Sequence, residues 1–78
     1  MNTIKVLFFG SLEDVVGGNE KDFSDIKTSD SLFKILKSDY PELNNKTFQV
    51  AVNQQIINQN TTLNNGDVIA LLPPFAGG

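Results

Sequence analysis

Val68-Ile69-Ala70-Leu71-Leu72-Pro73-Pro74-Phe75-Ala76-Gly77-Gly78 decides the reading of this chain. Residues 68–72 form an unbroken apolar run with the length of a buried strand, and the turn signal Asn64-Asn65-Gly66-Asp67 precedes them. Neither Pro73 nor Pro74 can donate a backbone hydrogen bond, so sheet pairing is expected to stop at Leu72. Residues 73–78 are then expected to leave the body of the protein as a projecting tail.

Working outward, the matching apolar run is Ile4 to Phe9, interrupted by Lys5 and bounded by Gly10 and Ser11. A short helix follows, with Ser11 as its cap, Asp14 at the capping-box position, Leu12, Val15 and Val16 on one face, and Gly17-Gly18 as its stop. From Glu20 to Ile26 only Phe23 and Ile26 are apolar, so a strand there would sit at a sheet edge with little to bury. The main helix is signalled by Thr28 as N-cap, Asp30 in the first turn, an apolar stripe of Leu32, Ile35, Leu36 and Tyr40, and Pro41 as terminator. Phe48, Val50 and Val52 alternate with Gln49, Ala51 and Asn53 as in a half-buried strand; Asn53-Gln54 then turns the chain into a brief strand at Ile56-Ile57. Residues 58–62 read as loop.

With a helix between them, the first and last strands can lie side by side in parallel at the centre of the sheet, where the strongest apolar runs belong. The order implies an α+β fold of the β-grasp, or ubiquitin-like, type: a mixed sheet with one main helix across one face and a flexible Gly-Gly tail. By alternation Ile4, Val6 and Phe8 face the helix with Phe48, Val50 and Val52. Leu7, Phe9, Ala51 and one register of the last strand point to the open face.

At 78 residues the chain has room for one domain, 1–78, with residues 73–78 as its tail. It contains no Cys and no His, which excludes disulfides, the usual zinc sites, thiolate nucleophiles and imidazole acid–base catalysis. Its core must therefore be apolar, which a 40% hydrophobic content with six Phe allows. Nine acidic residues against six Lys and no Arg give a net charge of −3, and the lysines are scattered, so nucleic acid is not an expected partner. No stretch approaches the ~18 apolar residues of a membrane span, and Met1 to Lys5 do not open a signal peptide. A cytoplasmic protein is expected, with no membrane partner.

The tail carries the chemical signal. Two prolines reduce the entropy lost when a partner orders the segment, and six extended residues can carry the terminal carboxylate about 20 Å. Gly77 and Gly78 have no Cβ, so their backbone fits a slot too narrow for other residues. Without Cys, His or a Gly-rich phosphate loop, the distinctive reactive group expected is the α-carboxylate of Gly78, which a partner must activate, for instance as an acyl-adenylate. The activated carbonyl could accept a nitrogen nucleophile, as in protein conjugation, or a sulfur one.

Three stretches carry a resemblance: Ile4-Lys5-Val6-Leu7-Phe8-Phe9, Val52-Asn53-Gln54, and Leu63 through Gly66-Asp67 to Pro73-Pro74-Phe75-Ala76-Gly77-Gly78. Over nearly its whole length the chain resembles the ubiquitin-like sulfur carriers, the family that holds the small subunit of molybdopterin synthase and the thiazole sulfur carrier. Pro-Pro-Phe-Ala before Gly-Gly favours the former. The resemblance implies that an activating enzyme adenylates Gly78 using ATP and that a sulfur donor converts it to a thiocarboxylate. The tail then enters the large synthase subunit, in a heterotetramer, to sulfurate cyclic pyranopterin monophosphate. It also implies that this chain binds no cofactor or metal and is a donor subunit, not an enzyme by itself. The alternatives are the thiazole pathway or a protein modifier conjugated through Gly78.

Gly78 is thus the expected chemical site, with Gly77 and Ala76 its companions in the tail. Phe75 with Leu72 is the candidate anchor to a partner, the other reading being that Phe75 folds back on the open face. Leu7, Phe9 and Ala51 would complete an apolar partner-binding patch there, unless a loop partly buries them.

Overall fold

The computed structural model describes residues 2–73. Five strands form one mixed sheet: β1 (Thr3–Phe8), β2 (Glu20–Ser24), β3 (Gln49–Val52), β4 (Gln55–Ile57) and β5 (Val68–Leu72), in the spatial order β2-β1-β5-β3-β4. Helix α1 (Ser11–Val16) follows β1, and the longer α2 (Ser29–Asp39) crosses the sheet between β2 and β3. This is the α+β, ubiquitin-like arrangement expected from the sequence. β1 and β5 are parallel in the register Val6↔Ile69 and Phe8↔Leu71, while β2–β1, β3–β5 and β3–β4 are antiparallel. The charged strand β2 lies at one edge, where exposed charge blunts unwanted pairing.

The register puts Ile4, Val6, Phe8, Ile69 and Leu71 on the helix side, all essentially solvent-free, against Leu32 and Leu36 of α2. Val50 joins the same cluster, and Phe48 and Val52 pack against it half-buried. Thr28 caps α2 as expected, its Oγ1 accepting from the Ser31 N–H at 3.2 Å. The buried stripe, however, is narrower than the expected one: Ile35 is exposed, and the position two turns before Leu36 is Ser29, fully buried. Burial of a hydroxyl is tolerated because residues 60–61 satisfy it. Ser29 Oγ accepts from the Thr61 N–H at 2.9 Å and donates to Asn60 Oδ1 at 3.3 Å, while Asn60 Oδ1 also accepts from the Asp30 N–H at 3.0 Å. The loop at 58–62 therefore caps the helix from outside its sequence.

Three further expectations need correction. Helix α1 is capped by Gly10, not Ser11, and makes no side-chain cap bond. The Glu13 N–H reaches Gly10 O at 3.1 Å, and Gly10 turns the chain from strand to helix at φ 60°, ψ −137°, a conformation that favours glycine. Ile26 lies beyond β2 yet in the core: Asp25 turns at φ 60°, and the Asn2 side chain brackets Ile26, accepting its N–H at 3.0 Å and donating to its carbonyl at 2.7 Å. After Pro41, where only an end to the helix was expected, the chain forms a 3-10 helix, Pro41–Asn45, because Leu43 is drawn fully into the core.

The strand starts are fixed by a polar clamp. In the β3–β4 turn Asn53 and Gln54 both have positive φ, 49° and 72°, the form that suits a two-residue hairpin. Asn53 donates from Nδ2 to Asp67 Oδ1 at 2.9 Å and accepts the Val68 N–H on Oδ1 at 3.0 Å. Asp67 Oδ2 accepts from the Asn64 N–H at 2.7 Å, and the Gly66 N–H donates to Thr3 O at 2.8 Å. One side chain thus ties the hairpin to the turn that starts β5. Replacing Asn53 by Gly removes these bonds while keeping the positive φ, and is expected to cost about 1 kcal/mol in urea unfolding. Asn53→Ala should cost about 1 kcal/mol more, because Ala resists that backbone region.

Candidate functional site

The open face follows from the same register that builds the core. Lys5, Leu7 and Phe9 alternate away from α2, and so do Val68, Ala70 and Leu72 of β5. Leu7 stands beside Ala70, Ala70 beside Ala51, and Ala51 beside Ile56, a row that crosses four strands. The two alanines contribute no side chain beyond Cβ, so the middle of the face is low. Larger side chains stand around it: Phe9 43% exposed, Val68 37% and Ile56 57%, with Leu7 and Leu72 half-buried. The result is a shallow apolar trough of about 550 Å³.

Sequence-derived candidates thus fall together on this face, but in different roles. Phe9 is exposed and available for contact. Leu7 and Leu72 offer part of their surface. Ala51 is buried at 5% exposure, crowded by flanking side chains, so it forms the floor and supplies little contact area. Ile56 and Val68 are face residues that the reading by residue did not name. Ile56 was legible in principle, since two residues after the Asn53-Gln54 turn bring it opposite Ala51.

The exit of the chain borders this trough. Sheet pairing ends at Leu72, paired with Gln49, as the prolines required. Pro73 does not leave the body at once: it is half-buried, and a Cβ on Gly10 would lie 2.9 Å from its Cγ. The β1–α1 corner therefore holds the first residue of the tail. Phe75, Ala76, Gly77 and Gly78 lie outside the described residues.

Charge plays a small part on this face. Lys5 Nζ lies 3.5 Å from Glu20 Oε2 with both side chains about half-exposed, an arrangement worth little in water. Lys21, on β2, sits with Nζ 5.3 Å from the centre of the Tyr40 ring. Its pKa is raised above the ordinary value, chiefly by hydrogen bonding to Tyr40, which ties β2 to the end of α2. Among the described residues, no group of three or more His, Cys, Asp or Glu could hold a metal ion, and no helix is long and apolar enough to cross a membrane.

A family model, described as the ThiS family, matches residues 6–78. The molybdopterin synthase sulfur carrier subunit of Dictyostelium discoideum is 36% identical over 86 residues, spanning 99% of this chain and 98% of that protein. Among solved structures, small archaeal modifier protein 1 from Methanosarcina acetivorans matches with a TM-score of 0.84 at 23% identity, covering 100% of this chain and 98% of that one. That likeness is one of fold. A complex of subunits 1 and 2 of molybdopterin-converting factor from Helicobacter pylori matches with a TM-score of 0.74 at 29% identity, covering 97% of this chain and 99% of the matched one.

Neighbouring residues of β5 test the division between the two faces. Val68→Thr, with Ile56→Thr, should lower binding of a hydrophobic dye while changing the urea unfolding free energy by less than about 1 kcal/mol. Ile69→Thr, one residue away but fully buried, should lose about 2 to 4 kcal/mol.

Proposed function

The chain belongs to the ThiS family, and from that footing we propose that it is the sulfur carrier subunit of a molybdopterin synthase, bearing sulfur as a thiocarboxylate on Gly78. The observation that carries this reading is the junction at Leu72, where the paired strand gives way to Pro73 beside an apolar trough, with Gly77-Gly78 a few residues further on. The name of the Dictyostelium relative supports it, and the Helicobacter complex supports a large-subunit partner.

In this reading an activating enzyme supplies the catalysis. The Gly78 carboxylate attacks the α-phosphorus of ATP and releases pyrophosphate; a hydrosulfide-level donor then adds to the acyl carbon and expels AMP, leaving a thiocarboxylate. Its sulfur is the nucleophile that a carboxylate is not. The large subunit receives the tail, and two loaded carriers provide the two sulfurs of one dithiolene on cyclic pyranopterin monophosphate. No thiol of the chain competes for the activated carbonyl, since it contains no Cys. The trough, with Phe9 and Leu72 at its rim and Phe75 following, holds the body against the partner while Ala76, Gly77 and Gly78 enter the active site. The chain itself binds no cofactor and works in the cytoplasm as a non-catalytic donor.

Mass spectrometry of the protein recovered from its native cell is expected to find free chain with sulfur in place of one oxygen in the C-terminal fragment carrying Gly78. Locating the change in that fragment separates it from oxidation of Met1. Conjugate ladders without the sulfur form would replace this reading by a protein modifier, and co-purification with a thiazole-forming partner would move it to the thiamine pathway. Deleting Gly78 should abolish molybdopterin formation and leave the urea unfolding curve unchanged.

A further inference from the structure

A second cavity lies on the helix side of the sheet and meets the trough only at Ile56. It is a groove of about 700 Å³ between α2 and the strands β3 and β4. Phe33 and Phe48 line it edge-to-face, ring centres 6.4 Å apart, and Val50 and Ile57 lie among its walls. Phe33, Phe48 and Ile57 are only half-buried, so the core leaves part of their apolar surface open to the groove.

The charge at the groove contrasts with that of the whole chain. The protein has nine acidic residues and a net charge of −3. Around the groove there are two lysines, Lys37 and Lys46, and one acid, Asp30. Lys37 and Asp30 are seven residues apart on α2, a separation of about 10 Å along the axis. A cation thus stands near each aromatic in the chain: Lys37 one helical turn from Phe33, and Lys46 two residues before Phe48. Both lysines are exposed, and among the described residues neither forms an ion pair.

We propose that this groove docks an extended acidic segment of a partner protein, placing an aromatic or aliphatic side chain against Phe33 and Phe48 and carboxylates on Lys37 and Lys46. Local charge complementarity selects the segment, because the groove places two cations against one acid beside its apolar wall while the chain as a whole is acidic. Ile56 borders both the groove and the open-face trough, whereas Ile57 faces the helix side. The β4 edge therefore lies between the two surfaces, with Ile56 common to both. This inference does not depend on the sulfur-carrier reading.

The test uses the full chain, 15N-labelled, titrated with a capped synthetic peptide alternating Leu or Phe with Glu, and with its counterpart carrying Lys in place of Glu. The acidic peptide is expected to shift amide resonances at Phe33, Lys37, Lys46 and Phe48, to weaken as salt is raised, and to bind about tenfold less tightly to a Lys37→Glu, Lys46→Glu variant. Lys37→Gln with Lys46→Gln, which adds no new charge, should give a smaller loss in the same direction. Equal binding of the Lys peptide, shifts confined to Leu7, Ala70 and their neighbours, or no response to either pair of substitutions would overturn the proposal. The sulfur form of Gly78 would be unaffected by any of these results.

Discussion

Everything in this fold rests on the parallel pairing of β1 with β5, two segments from opposite ends of the sequence. The pairing brings Val6, Phe8, Ile69 and Leu71 onto one face, each with at most 1% of its surface exposed. Because side chains alternate, a slip of one residue would exchange the core face for the open one. The register is fixed where the strands begin. Thr3 gives its N–H to Asn65 Oδ1, receives the Gly66 N–H on its carbonyl, and the Lys5 N–H continues to Asp67 O. Asn53 connects the same turn to the β3–β4 hairpin. Hydrophobic burial supplies the driving force, and these directional bonds select which of two adjacent registers receives it.

How much was legible in the sequence follows from this division of labour. The strands of the core could be read because period-2 alternation and unbroken apolar runs are local properties, and Thr28 could be read as a cap because capping involves the next three residues. Ser29 and Ile35 could not be assigned correctly on these grounds. Ser29 is buried because a loop some thirty residues later satisfies its hydroxyl, while Ile35 is exposed because the face of α2 turned to the core is the one carrying Ser29, Leu32 and Leu36. The 3-10 helix at Pro41–Asn45 was hidden for a similar reason: its polar residues suggest a loop, and only the space beneath Leu43 shows what holds it.

The site divides in the same way. The chemistry proposed for it comes from residue types, since a chain without Cys or His has few reactive groups. Its surface was only half readable. Parity put Leu7, Phe9 and Ala51 on one face, but the size of Ala51 and Ala70 makes them floor, and the rim contact at Ile56 depends on a hairpin partner. A small protein with most of its apolar bulk in one core can present a recognition surface in this manner, by leaving out side chains at the centre of a sheet instead of adding them at the edge.

The parallel β1–β5 pair also has a consequence for biosynthesis. The first strand emerges from the ribosome early and must wait, with Ile4, Val6 and Phe8 uncovered, until residues 68–72 have followed it out. Native topology therefore cannot form until Val68 to Leu72 are available to pair, and chaperones have their longest opportunity to bind at β1. A nascent chain arrested anywhere before Val68 would lack its central partner strand, so unfinished copies should be cleared by proteases before their exposed strand can recruit other chains.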